Sequence, residues 1–238
     1  MATFIVIVTF AVLVRSTLGF GEALVAMPIL TLLIGPQQAA PLVAFLGPTT
    51  STVILLKQWQ DVDVKSVWRL ILSSLLGIPL GILLVRQMPA GIVNAAMGAL
   101  LLLFGWYNLV TPRLPTLEGM GWAYGFGFVA GILGGAYNTN GPPVIFYSAL
   151  RRWSPDRFRA TLQGYFFPTG LLILISHGLA GSLTGTVLRF YGYSLPFILL
   201  AVFAGGWLSH RIPRESFTRL VYGFLILIGA YLVIHNSI

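Results

Sequence analysis

Long stretches without a charged side chain are the feature that most limits how this chain can fold. Five windows contain no Asp, Glu, Lys or Arg, and each reaches the length of about 20 residues that a membrane-spanning helix needs. Apolar residues make up 57% of the chain and charged residues 8%, far from the composition of a soluble domain. The pattern predicts an all-α polytopic membrane protein embedded in a lipid bilayer. The windows are residues 23–56, 87–112, 119–150, 160–188 and 190–210.

Basic residues outnumber acidic ones by 14 to 6, which gives a net charge of +8. They lie at the ends of apolar segments, where topology signals are found, so we expect no nucleic-acid partner. The chain has no cysteine and only three histidines, which are scattered. We therefore expect no disulfide, no metal site and no cofactor, and we predict that the protein is not an enzyme.

Two apolar segments are interrupted near their middle by glycine and are followed by proline. The first reads Leu18-Gly19-Phe20-Gly21-Glu22 and continues to Pro28, and the second reads Leu133-Gly134-Gly135-Ala136-Tyr137 and continues to Pro143. A shift of 115 residues superimposes the glycines and the prolines without a gap (134 − 19 = 143 − 28). Broken helices at corresponding places in two halves are typical of membrane transporters, which bind their substrates there.

The windows and breaks divide the chain into two repeats joined by a linker at residues 111–117. Each repeat is predicted to consist of one broken element followed by three transmembrane helices. Further pairs, such as Gly81 with Gly205 and Pro89 with Pro213, keep a constant shift of 124 residues. The first repeat spans 1–110, with its broken element at 2–34 and helices at 38–57, 65–85 and 91–110; the second spans 118–238, with its broken element at 118–151 and helices at 156–177, 187–209 and 214–234.

Length and charge predict that each broken element is a re-entrant hairpin. A continuous helix over residues 2–34 would be about 50 Å long, whereas the hydrocarbon core is about 30 Å thick. With two hairpins, one membrane face has eleven Lys and Arg residues and the other has only Arg86 and Arg189, while two spanning elements would divide them 8 to 5. The eleven residues are Lys57, Lys65, Arg69, Arg113, Arg151, Arg152, Arg157, Arg159, Arg211, Arg214 and Arg219.

The hairpin arrangement also fixes the expected topology. Three full crossings in each half make the two structural repeats inverted relative to each other. The basic face is then cytoplasmic, so the N- and C-termini are predicted outside a multi-pass protein of the plasma (inner) membrane.

Polar residues in and around the two breaks form the candidate substrate site. Each break leaves a half-helix N-terminus, near Gly21 in the first and at Pro142-Pro143 in the second, and such N-termini attract anions. Hydroxyl and amide groups can replace the water around a bound anion, although hydrogen bonding between helices is the plainer role for them. The predicted substrate-binding residues are Arg15, Thr17, Gly19, Gly21, Glu22, Thr49, Thr50, Asn138, Thr139, Asn140, Gln163 and Tyr165.

Arg15 and Glu22 are the only charged residues in the deep part of either broken segment. Charges inside a membrane are functional candidates, and the arginine fork suits an oxyanion while a buried glutamate can carry a proton. In a continuous helix the two residues would be about 10 Å apart, but an unwound segment between Gly19 and Gly21 would let them pair. The sequence leaves open whether Arg15 binds the substrate or pairs with Glu22. If the two residues pair, the backbone amides at the break would attract the anion instead.

The broken motifs resemble those of the TauE/SafE family of sulfite- and organosulfonate-exporter-like permeases. The matching residues are Gly19-Phe20-Gly21 with Pro28, and Gly131, Gly134-Gly135 and Pro142-Pro143. The resemblance implies two similar halves and secondary transport, commonly export, of a small sulfur-containing or related organic anion. This chain departs from the usual motif at Glu22 and at Tyr137-Asn138-Thr139-Asn140, where small residues are common, and the departure alters the site.

The leading hypothesis from the sequence is a secondary transporter of a small anion that binds near mid-membrane between the two breaks. A sulfur-containing oxyanion or an organosulfonate is the predicted substrate class, with proton or ion coupling as a possibility. The alternatives are a passive anion channel and, more distantly, an intramembrane enzyme. The sequence leaves the direction of transport, the coupling ion and the oligomeric state open.

Overall fold

The computed structural model describes residues 2–110, 116–208 and 214–236, and these ranges contain ten α-helices. The all-helical fold class predicted from the sequence is therefore confirmed for the described part of the chain. A short 3₁₀ helix (Trp59–Asp61) follows the third α-helix. The helices are α1 (Ala2–Leu18), α2 (Glu22–Ile34), α3 (Pro36–Gln58), α4 (Val64–Gln87), α5 (Ala90–Val110), α6 (Trp122–Tyr137), α7 (Gly141–Leu150), α8 (Pro155–Leu179), α9 (Gly185–Leu208) and α10 (Arg214–Asn236).

Three helices are long and apolar enough to cross a membrane, judged by length and composition within the described residues. They contain the stretches Pro36–Leu56, Val64–Gln87 and Gly185–Leu208. Shorter apolar stretches occur in four other helices, at Thr3–Leu18, Glu22–Ile34, Gly91–Tyr107 and Leu225–Ile234. Together with the composition, these helices support an integral membrane protein.

Both interrupted elements are present, and left-handed backbone conformations produce the interruptions. Between α1 and α2, Gly19 has φ 92° and Gly21 has φ 104°, a region that glycine enters without steric cost. After α6, Asn138 has φ 54°, and the amides of Asn138 and Thr139 donate to Gly134 O and Leu133 O at 2.8 and 3.2 Å. The bond from Asn138 to Gly134 is that of the αL motif, which ends a helix by satisfying one of its last carbonyl groups.

The two breaks are related by 119 residues rather than by the 115 residues that the glycine alignment predicts. The first helix of each pair ends at Leu18 and at Tyr137, and the second begins at Glu22 and at Gly141. Gly134 and Gly135 therefore lie inside α6 instead of in the break. Their small size serves a different purpose, because a Cβ at Gly135 would lie 2.1 Å from Ile78 O of α4.

Close helix contacts through glycine hold the bundle together, as is common in membrane proteins. The contact of α4 with α6 is the most extensive, and a Cβ at Gly81 would meet Ile132 O at 2.1 Å. The α1–α9 contact resembles it, since a Cβ at Gly205 would lie 2.5 Å from Ser16 Cβ. These glycines therefore let pairs of helix backbones approach one another directly.

The direction of neighbouring helices can be read from side-chain and backbone contacts. In the second interrupted element, Phe126 of α6 lies 5.5 Å from Tyr147 of α7, ring centroid to ring centroid, and Leu117 N donates to Leu150 O at 2.9 Å. The chain therefore enters α6 and leaves α7 at the same end of the bundle. In α5 and α10, Gly98 packs against Gly229 and Gly105 against Tyr222, so these two helices are antiparallel.

Candidate functional site

Both helix breaks line one cavity of about 40 Å³, which we call the central cavity. The first break contributes Arg15 and residues 21–24, and the second contributes residues 138–141. The long helices α3 and α8 close the remaining walls. Their lining residues are Val43, Ala44 and Gly47 of α3 and Phe166, Gly170 and Ile173 of α8.

Arg15 and Glu22 form an ion pair at the wall of this cavity. Their side chains are 4% and 5% exposed, and Arg15 Nη1 donates to Glu22 Oε1. Residues 19–21 are not helical, and this unwound segment lets two residues seven positions apart meet. A buried pair is tolerated only when further hydrogen bonds compensate for the lost water, so the neighbours of both side chains matter.

Three polar side chains on α3 and α8 supply those hydrogen bonds. Thr50 Oγ1 donates to Glu22 Oε2 at 3.1 Å, while Arg15 Nη2 donates to Gln163 Oε1 at 2.8 Å and also to Ser51 Oγ. The Phe166 ring lies under the Arg15 guanidinium, with its centroid 4.8 Å from Cζ, in a cation–π contact. The arginine is therefore held on several sides.

Arg15 Nε and the first amides of α2 remain available to a ligand at the first break. Arg15 Nε is buried and has no hydrogen-bond partner among the described residues, although burying such a donor unpaired is costly. In α2 the first amide to reach a backbone acceptor is that of Val25, which donates to Gly21 O at 3.1 Å. The amides of residues 22–24 precede it, so they have no intrahelical acceptor, and these residues line the cavity. The first break thus presents N–H groups to the cavity.

The second break presents amide side chains instead of charges. Asn140 Nδ2 donates to Thr169 Oγ1 at 3.0 Å, and Asn138 Nδ2 donates to Ala40 O of α3 at 2.6 Å. The α7 N-terminus offers fewer backbone donors than the first break, because Pro142 and Pro143 have no N–H group. Gly141 is the only residue of the first three in α7 with a backbone N–H.

The structure brings half of the predicted substrate-binding residues to the central cavity. Arg15, Gly21, Glu22, Asn138, Thr139 and Asn140 line it. Thr50, Gln163 and Gly19 lie directly behind these residues, since Gln163 Nε2 donates to Gly19 O at 2.7 Å and Thr50 bonds Glu22.

The remaining predicted residues bond elsewhere. Thr49 Oγ1 lies 2.7 Å from the Tyr191 hydroxyl of α9, and Tyr165 lies 2.8 Å from Ser74 Oγ of α4, oxygen to oxygen. Thr17 Oγ1 donates to Leu13 O at 2.8 Å within α1. For these three residues the contacts are those of helix packing.

The sequence analysis missed several residues of the site. Gly47, Phe166 and Gly170 line the cavity, but isolated glycine and phenylalanine residues in apolar helices carry no chemical signal. Arg159 was assigned to the cytoplasmic charge cluster, yet its Nη2 donates to Thr17 O beside the first break. Its position about one turn into α8 is the signal that separates it from the residues of the preceding loop.

Comparisons with known proteins give a matching family model and a similar exporter. A family model described as sulfite exporter TauE/SafE matches residues 4–232, a span that contains both breaks and every wall of the central cavity. A protein of Cupriavidus necator named probable sulfite/organosulfonate exporter TauE is 24% identical over 226 residues, which cover 92% of this chain and 88% of that protein. No solved structure matches the chain.

Proposed function

Because the chain belongs to the TauE/SafE family of sulfite exporters, we propose that it is a secondary transporter that exports a small sulfur-containing oxyanion or organosulfonate. The family resemblance noted in the sequence is thereby confirmed, and the class it supports is a membrane exporter rather than an enzyme. The observation that carries our proposal for the site is that both helix breaks line the same cavity. The substrate binds there, between the two breaks.

The donors around the central cavity favour an oxyanion. Residues 22–24 bring free amides at the positive end of α2, and Arg15 Nε is a further unused donor. Glu22 offsets the charge of Arg15, so the attraction comes from aligned N–H groups more than from net charge. A volume of about 40 Å³ holds about three waters, which favours a compact ion such as sulfite over a long organosulfonate.

We propose that the two interrupted elements are inverted re-entrant hairpins. Support comes from the first hairpin, where Phe4 lies 5.0 Å from Phe190 in the first turns of α9, ring centroid to ring centroid. Pro36, just after α2, shares a cavity with Ser182, just before α9, so both ends of this element lie near the start of α9. The second hairpin opens at the other end of the bundle, where Trp68 near the start of α4 lies 6.1 Å from Tyr124, centroid to centroid.

Orientation follows from the same contacts and the charges. The antiparallel packing of α5 and α10 supports a C-terminus on the same side as the N-terminus. The opposite face has most of the Lys and Arg residues, so both termini are outside and the protein lies in the inner membrane. Tags at either terminus should react with an impermeant reagent in intact cells, and protection of both would overturn this orientation.

Glu22 is our candidate for proton coupling. Its carboxylate neutralises Arg15, so protonation of Glu22 would release the guanidinium for the anion while Thr50 keeps a hydrogen bond to the carboxyl group. The anion and the proton would then bind together and leave together, so the anion's own concentration gradient, and not an inward proton gradient, would drive export. The coupling is reciprocal: protonation of Glu22 favours binding of the anion, and the bound anion favours protonation of Glu22 by the same factor.

Reconstituted protein tests the proposed transport directly. In proteoliposomes we expect saturable movement of sulfite and of methanesulfonate, which stays ionised at all pH values used, with acceleration by a proton gradient in the same direction. Glu22→Gln should remove the acceleration, and Glu118→Gln, at an exposed site before α6, is the matched control. Flux that never saturates would instead indicate a channel. Loss of sulfite without its movement would indicate an enzyme.

A further inference from the structure

A second cavity, of about 180 Å³, lies beside the start of α3 and the end of α4, and we call it the outer cavity. Its wall includes Gln37 and Ala40 of α3, Arg86 of α4, Ala136 of α6, His177 of α8 and Ser182. It is larger than the central cavity and lies at the membrane face that we assign to the outside. None of its polar residues has a role in the central site.

His177 is the feature of the outer cavity that points to a ligand. Its side chain is buried, with 6% exposed, and Nε2 has no hydrogen-bond partner among the described residues. Buried polar atoms are nearly always paired, so an unpaired ring nitrogen at a cavity wall is unusual. A neutral imidazole can donate one N–H bond from Nε2, so a hydrogen-bond acceptor in the cavity would satisfy it without a change in protonation.

Arg86 makes the expected ligand an anion. Its guanidinium borders the cavity, and Nη2 donates to Ser182 Oγ at 3.1 Å and to Ala180 O, which holds it at the mouth. In the topology predicted from the sequence, Arg86 is one of two basic residues on the outer face, where positive charge is normally scarce. The planar guanidinium suits an oxyanion, and Gln37 adds an amide beside it.

A hydrogen bond joins a residue that lines the central cavity to one that lines the outer cavity. Asn138 lines the central cavity and donates from Nδ2 to Ala40 O, while Ala40 lines the outer cavity. Ala136, which lines the outer cavity, lies two residues before Asn138 in the sequence. An ion that leaves the central cavity past the second break would therefore arrive at Arg86 and His177.

We propose that the outer cavity is a second binding subsite, formed by Arg86 and His177, which the transported oxyanion occupies as it leaves the protein. The proposal rests on the proposed function, since it places a second position on the same route. Two sites of moderate affinity let an ion leave the first site without entering water in one step. The gate between them is the Asn138–Ala40 hydrogen bond.

Nuclear magnetic resonance of the histidine side chains tests this subsite. The full-length protein in nanodiscs, labelled with ¹⁵N-histidine, is titrated with sulfite, and chloride at equal ionic strength is the control for a salt effect. The His177 signal is assigned by its loss in His177→Gln. We expect a saturable shift of this signal in the wild-type protein, at least tenfold weaker binding in Arg86→Gln, and no change in Arg189→Gln, which removes the other basic residue of the outer face.

Calorimetry on the same samples separates failure of the subsite from failure of the proposed function. Arg15→Ala should weaken sulfite binding at the central cavity and leave the His177 shift in place. Sulfite binding by calorimetry with no shift of His177 would overturn the outer subsite alone. A His177 shift that depends on Arg15 and not on Arg86, or that chloride reproduces, would also overturn it. No sulfite binding by either method would contradict the proposed function as well.

Discussion

The two helix breaks have similar backbone geometry but different chemistry. In the first, glycines with φ 92° and 104° open the helix around a buried ion pair, and the next helix keeps its N-terminal amides. In the second, Asn138 with φ 54° ends the helix, the side chains are neutral, and two prolines remove backbone donors from α7. From this difference we expect the two breaks to have different roles: the first attracts the anion, and the second forms the opposite wall of the central cavity.

Each break is also held by a long helix of the other half. Gln163 and Arg159 of α8 donate to carbonyl groups at the first break, namely those of Gly19 and Thr17. In return, Asn138 of the second break donates to Ala40 O of α3. Movement of one half against the other would therefore alter both breaks together, which alternating access requires.

The largest effect should come from breaking the ion pair of the first break. Glu22→Ala leaves Arg15 buried without its carboxylate, and we expect the free energy of unfolding to fall by about 3–5 kcal/mol. Chemical unfolding in mild detergent measures it. Arg157→Ala is the control and should cost at most about 1 kcal/mol, because its side chain is 52% exposed and Ser66 still donates to the carboxylate of its partner Asp63. If Glu22→Ala with Arg15→Ala is no more stable than Glu22→Ala alone, the buried charge is not the cause.

Gly135→Ala should have the next largest effect, because Gly135 is a packing residue of α6 and not part of the break. Its new Cβ would meet Ile78 O at 2.1 Å, and such overpacking costs about 1–3 kcal/mol. Gly125→Ala on the same helix has nothing within 4 Å and should be neutral or slightly stabilising. Equal melting temperatures for the two variants would show that the α4–α6 contact is looser than described.

Substitutions at Asn138 test the backbone of the second break. Asn138→Gly and Asn138→Val both lose the hydrogen bond to Ala40 O, but only valine resists a φ of 54°. We expect Asn138→Val to be less stable than Asn138→Gly by about 1–2 kcal/mol, measured by the same unfolding assay. Equal stability of the two variants would mean that the left-handed turn is not needed to end α6.

Asn140→Leu should give the smallest effect, on transport rather than on stability. It replaces an amide of the cavity wall, and we expect a roughly tenfold lower flux, equivalent to about 1.4 kcal/mol, with normal expression. Thr169→Val is the matched control, because it removes the hydrogen-bond partner of Asn140 without touching the cavity lining. If Thr169→Val lowers flux as much as Asn140→Leu, Asn140 acts by packing, and normal flux in Asn140→Leu removes the second break from the site.

Sequence reasoning located both breaks and their polar residues because glycine, proline and asparagine stand out in apolar helices. It wrongly counted Gly134 and Gly135 as part of the second break, because glycines that open a helix and glycines that let two helices touch look the same in a sequence. It left the pairing of Arg15 with Glu22 open, because that contact depends on how far residues 19–21 unwind. The sequence could not identify Gly47 and Gly170 as cavity residues, because only the tertiary structure shows which glycines face a cavity.

The most direct test of the account is to locate the bound anion. Selenite has the charge and pyramidal shape of sulfite, and its anomalous scattering marks its position in a crystal of the full chain. The chain has no cysteine with which selenite could react. We predict a peak in the central cavity, with selenite oxygens about 3 Å from the amides of residues 22–24 and from Asn140. No selenite in the central cavity, or a selenite there that contacts only one break, would contradict the central claim.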